Sequence, residues 1–202
     1  VSACAACGLC AQRQQAVLGE GDVQAPAWLV VGEGPGEEED RTGRPFVGRA
    51  GQLLDAMLAA MGLHRDQQVY ITNAVKCRPP GNRNPQPEEW AQCLPYLRQQ
   101  VQWLTPQVVL AVGRFGAQAV LSLDELKRYH DRLGQPLGKW RGQPWPVRVA
   151  GRELSVVVSY HPAYLLRNPI EKAKAWADLC LALDVKAGVD AVATAPTGSE
   201  AV

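Results

Sequence analysis

The stretch WLVVGEGPGEEED, residues 28–40, joins a continuous apolar run to a loop of glycines and acidic residues. A short apolar run that ends at glycine is typical of a strand buried on both faces of a parallel sheet. The run itself is Trp28–Val31, and three later runs have the same character: Val69–Thr72, Val108–Val112 and Leu154–Ser159. We therefore expect a central, mainly parallel sheet of four strands.

Helical segments separate these strands. Gly51–Met61 and Glu88–Leu104 carry apolar residues at a spacing of about 3.6, and Phe115–Leu121 and Glu171–Leu183 are two further candidates. Pro95 is expected to kink or restart the second of these helices. Alternation of strands and helices predicts an α/β fold of three layers, α/β/α, with helices on both faces of the sheet.

Length and composition fit this architecture. A chain of 202 residues with 47% hydrophobic composition is sufficient for one domain with a sizeable core. We expect that domain to occupy residues 1–184. Residues 185–202 are mostly small and polar, which predicts a disordered tail.

Charge and hydropathy exclude little. The formal net charge is +1, so a nucleic-acid-binding surface would need its basic side chains concentrated on one face. No apolar run reaches the roughly 18 residues that a membrane span needs. No secretory signal is visible, although the chain begins at Val1 rather than at methionine. We expect a cytoplasmic monomer with no membrane partner.

Each predicted strand is followed by an unusual polar or glycine-rich segment. The segments are GEGPGEEED (32–40), NAVKCRPPGNRNP (73–85), GRFG (113–116) and YHPAYLLRNP (160–169). In open α/β sheets, ligands bind beyond the carboxyl ends of the parallel strands. The four segments are therefore expected to meet at one edge of the sheet and to form one ligand site.

The first of these loops is not a dinucleotide-binding motif. The third glycine of that motif would have to stand where the chain has Glu37, and the acidic run Glu37–Asp40 would repel a pyrophosphate. Two interpretations stay open. In the first, the loop is an acidic turn exposed to solvent. In the second, glycines at positions 32, 34 and 36 leave the backbone without side chains, so that a flat ligand or a sugar–phosphate can approach it closely.

Five of the six cysteines suggest a metal or cluster site. The five are Cys4, Cys7 and Cys10, at C-x2-C-x2-C spacing, and the distant Cys77 and Cys93. Two neighbouring thiols with two distant ones make a four-thiolate site, which suits either a [4Fe–4S] cluster or structural zinc. Spacing decides neither the metal nor which two of the first three cysteines are ligands. Cys180 lies in an apolar helical segment and fits an ordinary buried thiol.

Three side chains near the strand ends are candidates to bind a planar base. His161 follows the fourth strand and precedes Pro162, which fixes the backbone. Asn73 ends the second strand, and its amide offers both a donor and an acceptor. Phe46 is one of only two phenylalanines and could stack on an extruded base. Each also has an ordinary alternative as a structural histidine, a strand-ending asparagine or a core phenylalanine.

The segment after His161 has the composition of a DNA-wedging loop. Leu165 and Leu166 form an apolar pair, and Arg167 follows directly. In such loops the apolar side chains enter the base stack and the arginine holds a phosphate. We therefore expect these three residues to contact DNA if the ligand is nucleic acid.

Together these segments resemble the family 4 uracil-DNA glycosylases, the iron–sulfur branch of the uracil-DNA glycosylase superfamily. The matching text is GEGPGEEEDRTGRPFVGRAGQLL, VYITNAVKCRPPGNRNP and HPAYLLRNP, preceded by C-x2-C. The resemblance extends from Cys4 to about Asp184, and its motifs are long and in the right order. It implies an enzyme that flips uracil out of DNA and hydrolyses its N-glycosidic bond, leaving an abasic site.

The resemblance also implies a cofactor, a structural [4Fe–4S] cluster rather than zinc. The family's spacing of later residues is matched by Leu9, Arg13, Gly19 and Gly21 only if Cys4 and Cys7 are the first two ligands. Cys77 and Cys93 would then be the other two ligands, with Cys10 an additional thiol. Uracil-containing DNA is the implied partner.

For the reaction, the resemblance assigns His161 to stabilise the departing uracil anion through O2, as a neutral donor. Asn73 would read the base, Phe46 would stack on it, and the backbone near Gly34 would complete the pocket. The best-known branch of the superfamily has an aspartate at the position of Gly34, so that base is absent here. Glu33 and Glu39 are the remaining candidates to orient water or to offset positive charge on the sugar.

One departure and three alternatives accompany this reading. Ala163 replaces a serine that is common in the family, which puts one hydrogen bond in doubt. A sister group traps uracil-DNA covalently through a histidine in an inserted loop, but CRPPGNRNP (77–85) has neither insert nor histidine. A DNA-binding module with an inactive pocket would not need both Asn73 and His161. An iron–sulfur electron carrier would leave HPAYLLRNP without a role.

Overall fold

The computed structural model describes residues 1–194 and contains a six-stranded sheet. The strands are β1 (Glu20–Gly21), β2 (Trp28–Gly32), β3 (Val69–Asn73), β4 (Val108–Val112), β5 (Pro144–Val149) and β6 (Arg152–Ser159). Their order is β1-β3-β2-β4-β6-β5. The four predicted strands are the four central ones, and they pair in parallel. The expected total of four was wrong because an antiparallel strand is added at each edge.

Both additional strands lack the signal of a buried parallel strand. β1 contains only two residues, glutamate and glycine. β5 reads PWPVRV and alternates, with its second, fourth and sixth residues buried and the others exposed. It forms a hairpin with β6 through Ala150 and Gly151, whose φ angles of 51° and 75° are those of a tight hairpin turn. Prolines are tolerated in β5 because it is an edge strand.

Residues 1–194 form six α-helices, five of which cover the two faces of the sheet. They are α1 (Glu37–Thr42), α2 (Arg49–Ala60), α3 (Pro87–Leu104), α4 (Gly113–Leu121), α5 (Pro162–Arg167) and α6 (Lys172–Thr194). One hydrophobic cluster packs α3 and α4 on one face, and a second packs α2, α5 and α6 on the other. The chain therefore has the expected α/β fold. Within residues 1–194, no helix is both long and apolar enough to cross a membrane.

Two helix expectations need correction. α3 runs through Pro95 as one helix and does not restart there, because Leu97 and Val101 beyond the proline are buried against the sheet and hold the helix together. α6 continues through residues 185–194, which were expected to be a disordered tail. Alanines and a Lys186–Asp190 ion pair at i,i+4 spacing favour the helix there. Residues 195–202 of the expected tail lie outside the described residues.

The parallel core positions the functional segments. Because β2, β3, β4 and β6 run in the same direction, their carboxyl ends lie at one edge of the sheet. Gly32 and Asn73 are paired neighbours at that edge. α4 begins at Gly113 directly after β4, and α5 begins two residues after β6. The four polar segments therefore meet at that edge, as the sequence predicts.

Candidate active site

The carboxyl edge of the sheet opens into a cavity of about 680 Å³. The predicted site residues that line it are Glu33, Gly34, Glu39, Phe46, Asn73, His161 and Arg167. They come from three of the four polar segments and from Phe46, and the fold brings them to one place. Leu165 and Leu166 are not among the lining residues.

Asn73 is the most buried polar group of this cavity. It ends β3 and is 1% exposed, yet its Oδ1 has no hydrogen-bond partner within residues 1–194. An unpaired buried acceptor costs about 1–3 kcal/mol, so such an atom is rare unless a ligand donor satisfies it. A Cβ at the neighbouring Gly32 would lie 2.5 Å from that oxygen and 2.5 Å from the ring of Phe46. Glycine at position 32 therefore leaves room for both side chains.

Phe46 forms one wall of the cavity in a constrained conformation. Its φ angle is 53°, which is uncommon for a side chain of this size. Its carbonyl accepts a hydrogen bond of 2.9 Å from Arg65, and a Cβ at Gly51 would lie only 1.8 Å from that carbonyl oxygen. The ring stacks on His161, with centroids 5.6 Å apart and an interplanar angle of 30°. The surroundings thus hold the ring beside the imidazole.

His161 is positioned as a neutral donor. It is the N-cap of α5, and its Nδ1 accepts a hydrogen bond of 3.2 Å from the backbone N–H of Ala163. That bond places the proton of the neutral ring on Nε2. Burial, together with the charge of Arg167, lowers the pKa of His161 to about 4, while Glu39 acts in the opposite direction. The imidazole is therefore uncharged at neutral pH, as expected.

This pKa predicts a pH dependence of stability. The unfolded imidazole takes up a proton near pH 6.5, whereas the folded ring stays neutral until about pH 4. Protons therefore favour the unfolded chain as the pH falls through that interval, and stability is lost there. Urea denaturation should show a steeper fall in the free energy of unfolding for wild type than for His161→Gln. Parallel curves for the two proteins would contradict the lowered pKa.

The two candidate acids differ in what they contact. The Glu39 carboxylate accepts three backbone N–H bonds, from Gly36 at 3.0 Å, Val47 at 2.8 Å and Gly48 at 3.0 Å. One oxygen therefore anchors the loop that follows Phe46, and the other fixes the start of α1. Glu33 has no hydrogen bond to its carboxylate within the described part of the chain, and burial raises its pKa. Of the two, Glu33 is the freer to contact water or substrate.

The loop that carries Glu33 and Gly34 is fixed through its backbone. The N–H groups of Ala74 and Val75 donate to the carbonyls of Gly32 and Glu33, at 2.9 and 3.0 Å, and prolong the pairing of β2 with β3. A Cβ at Gly34 would lie 2.7 Å from a methyl group of Val75. Gly34 thus lets the two loops pack closely at the floor of the cavity.

Of the three residues expected to contact DNA, Leu165, Leu166 and Arg167, only the last two are accessible. Leu165 is 1% exposed and belongs to the hydrophobic cluster beside α2, so its assignment to the base stack was wrong in this structure. Leu166 is 37% exposed, and Arg167 lines the cavity. Successive helical residues point about 100° apart, and in α5 this turn places Leu165 on the buried side and Leu166 toward the surface.

The cavity is also lined by residues that the sequence did not indicate. They include Arg114, Leu137, Tyr160 and Tyr164. Arg114 follows β4 in the GRFG segment, so its place at a strand end was the available signal. Arg114 and Arg167 form no ion pair within residues 1–194, whereas Arg83 pairs with Glu89 at 2.6 Å. The lining therefore carries two arginines without ion-pair partners among the described residues, although the whole chain is nearly neutral.

The five expected cysteines also come together, apart from this cavity. Cys4, Cys7, Cys10, Cys77 and Cys93 line one small pocket, and Cys180 is not among them. Arg13 donates to the sulfur of Cys77 at 3.0 Å, and the Lys76 backbone N–H donates to the sulfur of Cys93 at 3.3 Å. Within residues 1–194, no group of three or more His, Cys, Asp or Glu side chains is arranged to hold a metal ion. The cysteine pocket therefore identifies neither a metal nor its ligands by itself.

The N-terminal cysteines are tied to the loop after β2. The Asp40 carboxylate accepts from the backbone N–H of Gln14 at 3.0 and 3.1 Å and from that of Gln15 at 3.3 Å. Asp40 is 2% exposed, so this acidic residue is a buried anchor rather than surface charge. The cysteine pocket and the cavity are therefore connected through fixed backbone.

The chain is similar to known proteins over most of its length. The profile of the uracil DNA glycosylase superfamily matches residues 18–180. A type-4 uracil-DNA glycosylase of Pyrobaculum aerophilum is 42% identical over 88% of this chain and 87% of that protein. One from Thermotoga maritima is 42% identical over 87% of this chain and 90% of its own. A type-5 uracil-DNA glycosylase of Pyrobaculum aerophilum is 36% identical over 73% and 66%.

Proposed function

Since the chain belongs to the uracil DNA glycosylase superfamily, we propose that it is a DNA-repair glycosylase that hydrolyses the N-glycosidic bond of uracil in DNA. Free uracil and an abasic site are the products. The observation that carries this proposal is the cavity in which the unpaired Oδ1 of Asn73, the Nε2–H of His161 and the ring of Phe46 converge. We assign the activity to residues 1–184, acting as a monomer.

Recognition of the base is assigned to Asn73. Its unpaired Oδ1 suits the N3–H of uracil, and its Nδ2 suits O4. Cytosine offers the opposite pattern at these positions, so it would leave buried polar groups facing like groups, and sites of this kind discriminate strongly. Phe46 would stack on the base once it has left the duplex. Extrusion itself costs a few kcal/mol, less at a mismatched pair.

The chemical step is assigned to His161 and Glu33. As the C1′–N1 bond breaks, its electron pair goes to uracil, and positive charge develops on the sugar. The Nε2–H of His161 would donate a hydrogen bond to O2 of the uracil anion. Because the ring is neutral, it would not protonate the base before the bond breaks. Glu33 would orient the water whose oxygen attacks C1′, and the proton that this water loses would convert the uracil anion to free uracil. Glu39 would hold the loop that carries Phe46.

Contact with the DNA backbone is assigned to the rim of the cavity. Arg114 and Arg167 line it without ion-pair partners among the described residues, which suits phosphate binding. Leu166 is the exposed leucine of α5 and is the one we assign to the base stack. Leu165 supports it from the core.

We further propose that Cys4, Cys7, Cys77 and Cys93 hold a [4Fe–4S] cluster, with Cys10 as an additional thiol in the same pocket. The family resemblance and the shared pocket support this, as do the N–H donors to two of the sulfurs, which suit thiolate ligands. When bound, the cluster would supply structural cross-linking of the N-terminal segment to α3 rather than any step of the reaction.

The cluster can be tested by iron analysis. Anaerobically purified wild type is expected to contain about four iron atoms per chain and to show iron–sulfur absorbance. Cys77→Ser should lose most of both, because a central ligand is removed, whereas Cys180→Ser should retain them. Zinc in place of iron, or unchanged iron content in Cys77→Ser, would refute the assignment.

The activity is tested on a single uracil in an oligonucleotide, with a thymine oligonucleotide as control. Alkali should cleave the uracil strand after incubation with wild type, because it breaks DNA at abasic sites. A stable protein–DNA adduct on a denaturing gel would instead indicate the covalent chemistry of the sister group. No cleavage and no adduct would leave a binding module or an electron carrier and refute the proposal.

Gly113 offers a test of how closely His161 is held. Its φ angle is +84°, and a Cβ there would lie 2.9 Å from the Cβ of His161. Gly113→Ala is expected to displace the imidazole and slow uracil excision by about 100-fold, the effect typical of a misplacement near 1 Å. Gly151→Ala, where φ is also positive at +75° and a Cβ meets no atom within 4 Å, is the matched control. Equal rates for the two variants would contradict the close packing at Gly113.

A further inference from the structure

A fully buried lysine lies between the uracil-reading strand and the cysteine pocket. Lys76 is 0% exposed and stands three residues after Asn73 and one before Cys77. Burying an ammonium group is costly unless its donors are satisfied. All three are: Nζ donates to Thr72 Oγ1 at 2.7 Å, Asn73 O at 2.6 Å and Gln100 Oε1 at 2.6 Å. None of these acceptors is a carboxylate, so the group is held by hydrogen-bond geometry rather than by an ion pair.

The Asn73 carbonyl needs this donor because the sheet ends beside it. The edge strand β1 pairs only with Tyr70 and Ile71 of β3. The Ala74 N–H points toward β2, where it donates to Gly32 O at 2.9 Å. Backbone groups alternate sides along a strand, so the Asn73 carbonyl faces the open side. Lys76 Nζ supplies the bond that a longer β1 would have made.

The other contacts of Lys76 fix it to distant parts of the chain. Gln100, on α3, also donates from its amide to Leu18 O at 2.8 Å, and the Thr72 hydroxyl donates to the same carbonyl at 2.7 Å. The Lys76 backbone N–H donates to the sulfur of Cys93, again on α3, at 3.3 Å. One residue therefore joins the end of β3, helix α3 and the segment before β1.

From this geometry we propose that Lys76 is a positioning residue that orients the Asn73 amide for uracil. Its ammonium fixes the Asn73 carbonyl and so sets the direction in which the side chain leaves the strand end. The same contacts make that direction depend on the packing of α3 and the cysteine pocket. This inference rests on the proposed function and extends it to a residue that never touches the base.

The test is a double-mutant cycle on single-turnover excision of uracil. Lys76→Met keeps the length of the side chain but removes all three donors. It is expected to slow excision by about 10- to 100-fold in the wild-type background. In the Asn73→Ala background the same change should cost less than about threefold, because no amide is left to orient. Lys127→Met, at an exposed lysine, should change neither rate.

The outcomes separate the role of Lys76 from general stability and from the proposed activity. Iron content and the thermal midpoint are measured on each variant, and Lys76→Gln replaces Lys76→Met in the cycle if the latter does not fold. Equal losses in the two backgrounds, or no loss in either, would refute the positioning role alone. A wild type that releases no uracil would refute the proposed function and the role of Lys76 with it.

Discussion

His161→Ala is expected to slow the excision of uracil by about 100- to 1000-fold, the loss typical of one preorganised donor to a developing oxyanion. The ring is held for this task from several sides. Its Nδ1 accepts from the backbone of α5, its face stacks on Phe46, and Gly113 leaves space for it. Because burial keeps the ring neutral, the free enzyme does not have to bury a charged imidazolium before the bond breaks.

The measurement is single-turnover release of uracil from an oligonucleotide with protein in excess. His64→Ala is the matched control, since that histidine is exposed and outside the cavity. Its rate should equal that of wild type. His161→Gln retains a neutral N–H donor in altered geometry, so its rate should lie between those of wild type and His161→Ala. A loss of less than about fivefold in His161→Ala would remove the histidine from the chemical step, because even one weak donor is worth more.

The central strands and the place of the site were predictable from the sequence for a physical reason. A strand covered by helices on both faces must be continuously apolar, so Trp28–Val31 and Val108–Val112 are visible as such. The chain then leaves each strand at the same edge. Residues at these exits, Asn73 and His161 above all, could be placed together before any coordinates were known.

Other features depend on neighbours that the sequence does not reveal. The orientation of Leu165 toward the core follows from the phase of α5 against α2, which a pair of adjacent leucines does not specify. β5 alternates and contains prolines, so it lacks the pattern of the central strands. Nothing in the sequence around Lys76 predicts that this lysine is buried. Its burial depends on acceptors that include Gln100, 24 residues later.

The composition also does not reveal where the unpaired charges of the chain lie. The net charge of +1 results from nearly equal numbers of acidic and basic residues. Many arginines are neutralised locally, as Arg83 is by Glu89 and Arg128 by Asp124. Arg114 and Arg167 are not paired within residues 1–194, and both line the cavity. The surface that would meet DNA is therefore set by which cations lack partners, not by their number.

Asn73→Ala is expected to separate activity from stability. Excision of uracil should fall by about 100-fold or more, since both hydrogen bonds to the base are lost and its orientation with them. The free energy of unfolding should stay equal to that of wild type or rise by about 1 kcal/mol, because the substitution removes a buried acceptor that has no protein partner. The backbone bond from Lys76 to the residue 73 carbonyl is retained.

Urea denaturation and single-turnover excision on the same preparations measure both effects. Lys76→Met is the informative contrast, since it removes three hydrogen bonds to buried acceptors and should lower both stability and rate. An Asn73→Ala protein that is markedly less stable than wild type, yet excises uracil normally, would show that the amide supports the fold. If the variant instead keeps its stability and loses its activity, the Asn73 Oδ1 that is unpaired in the free protein is the atom that bonds to the substrate.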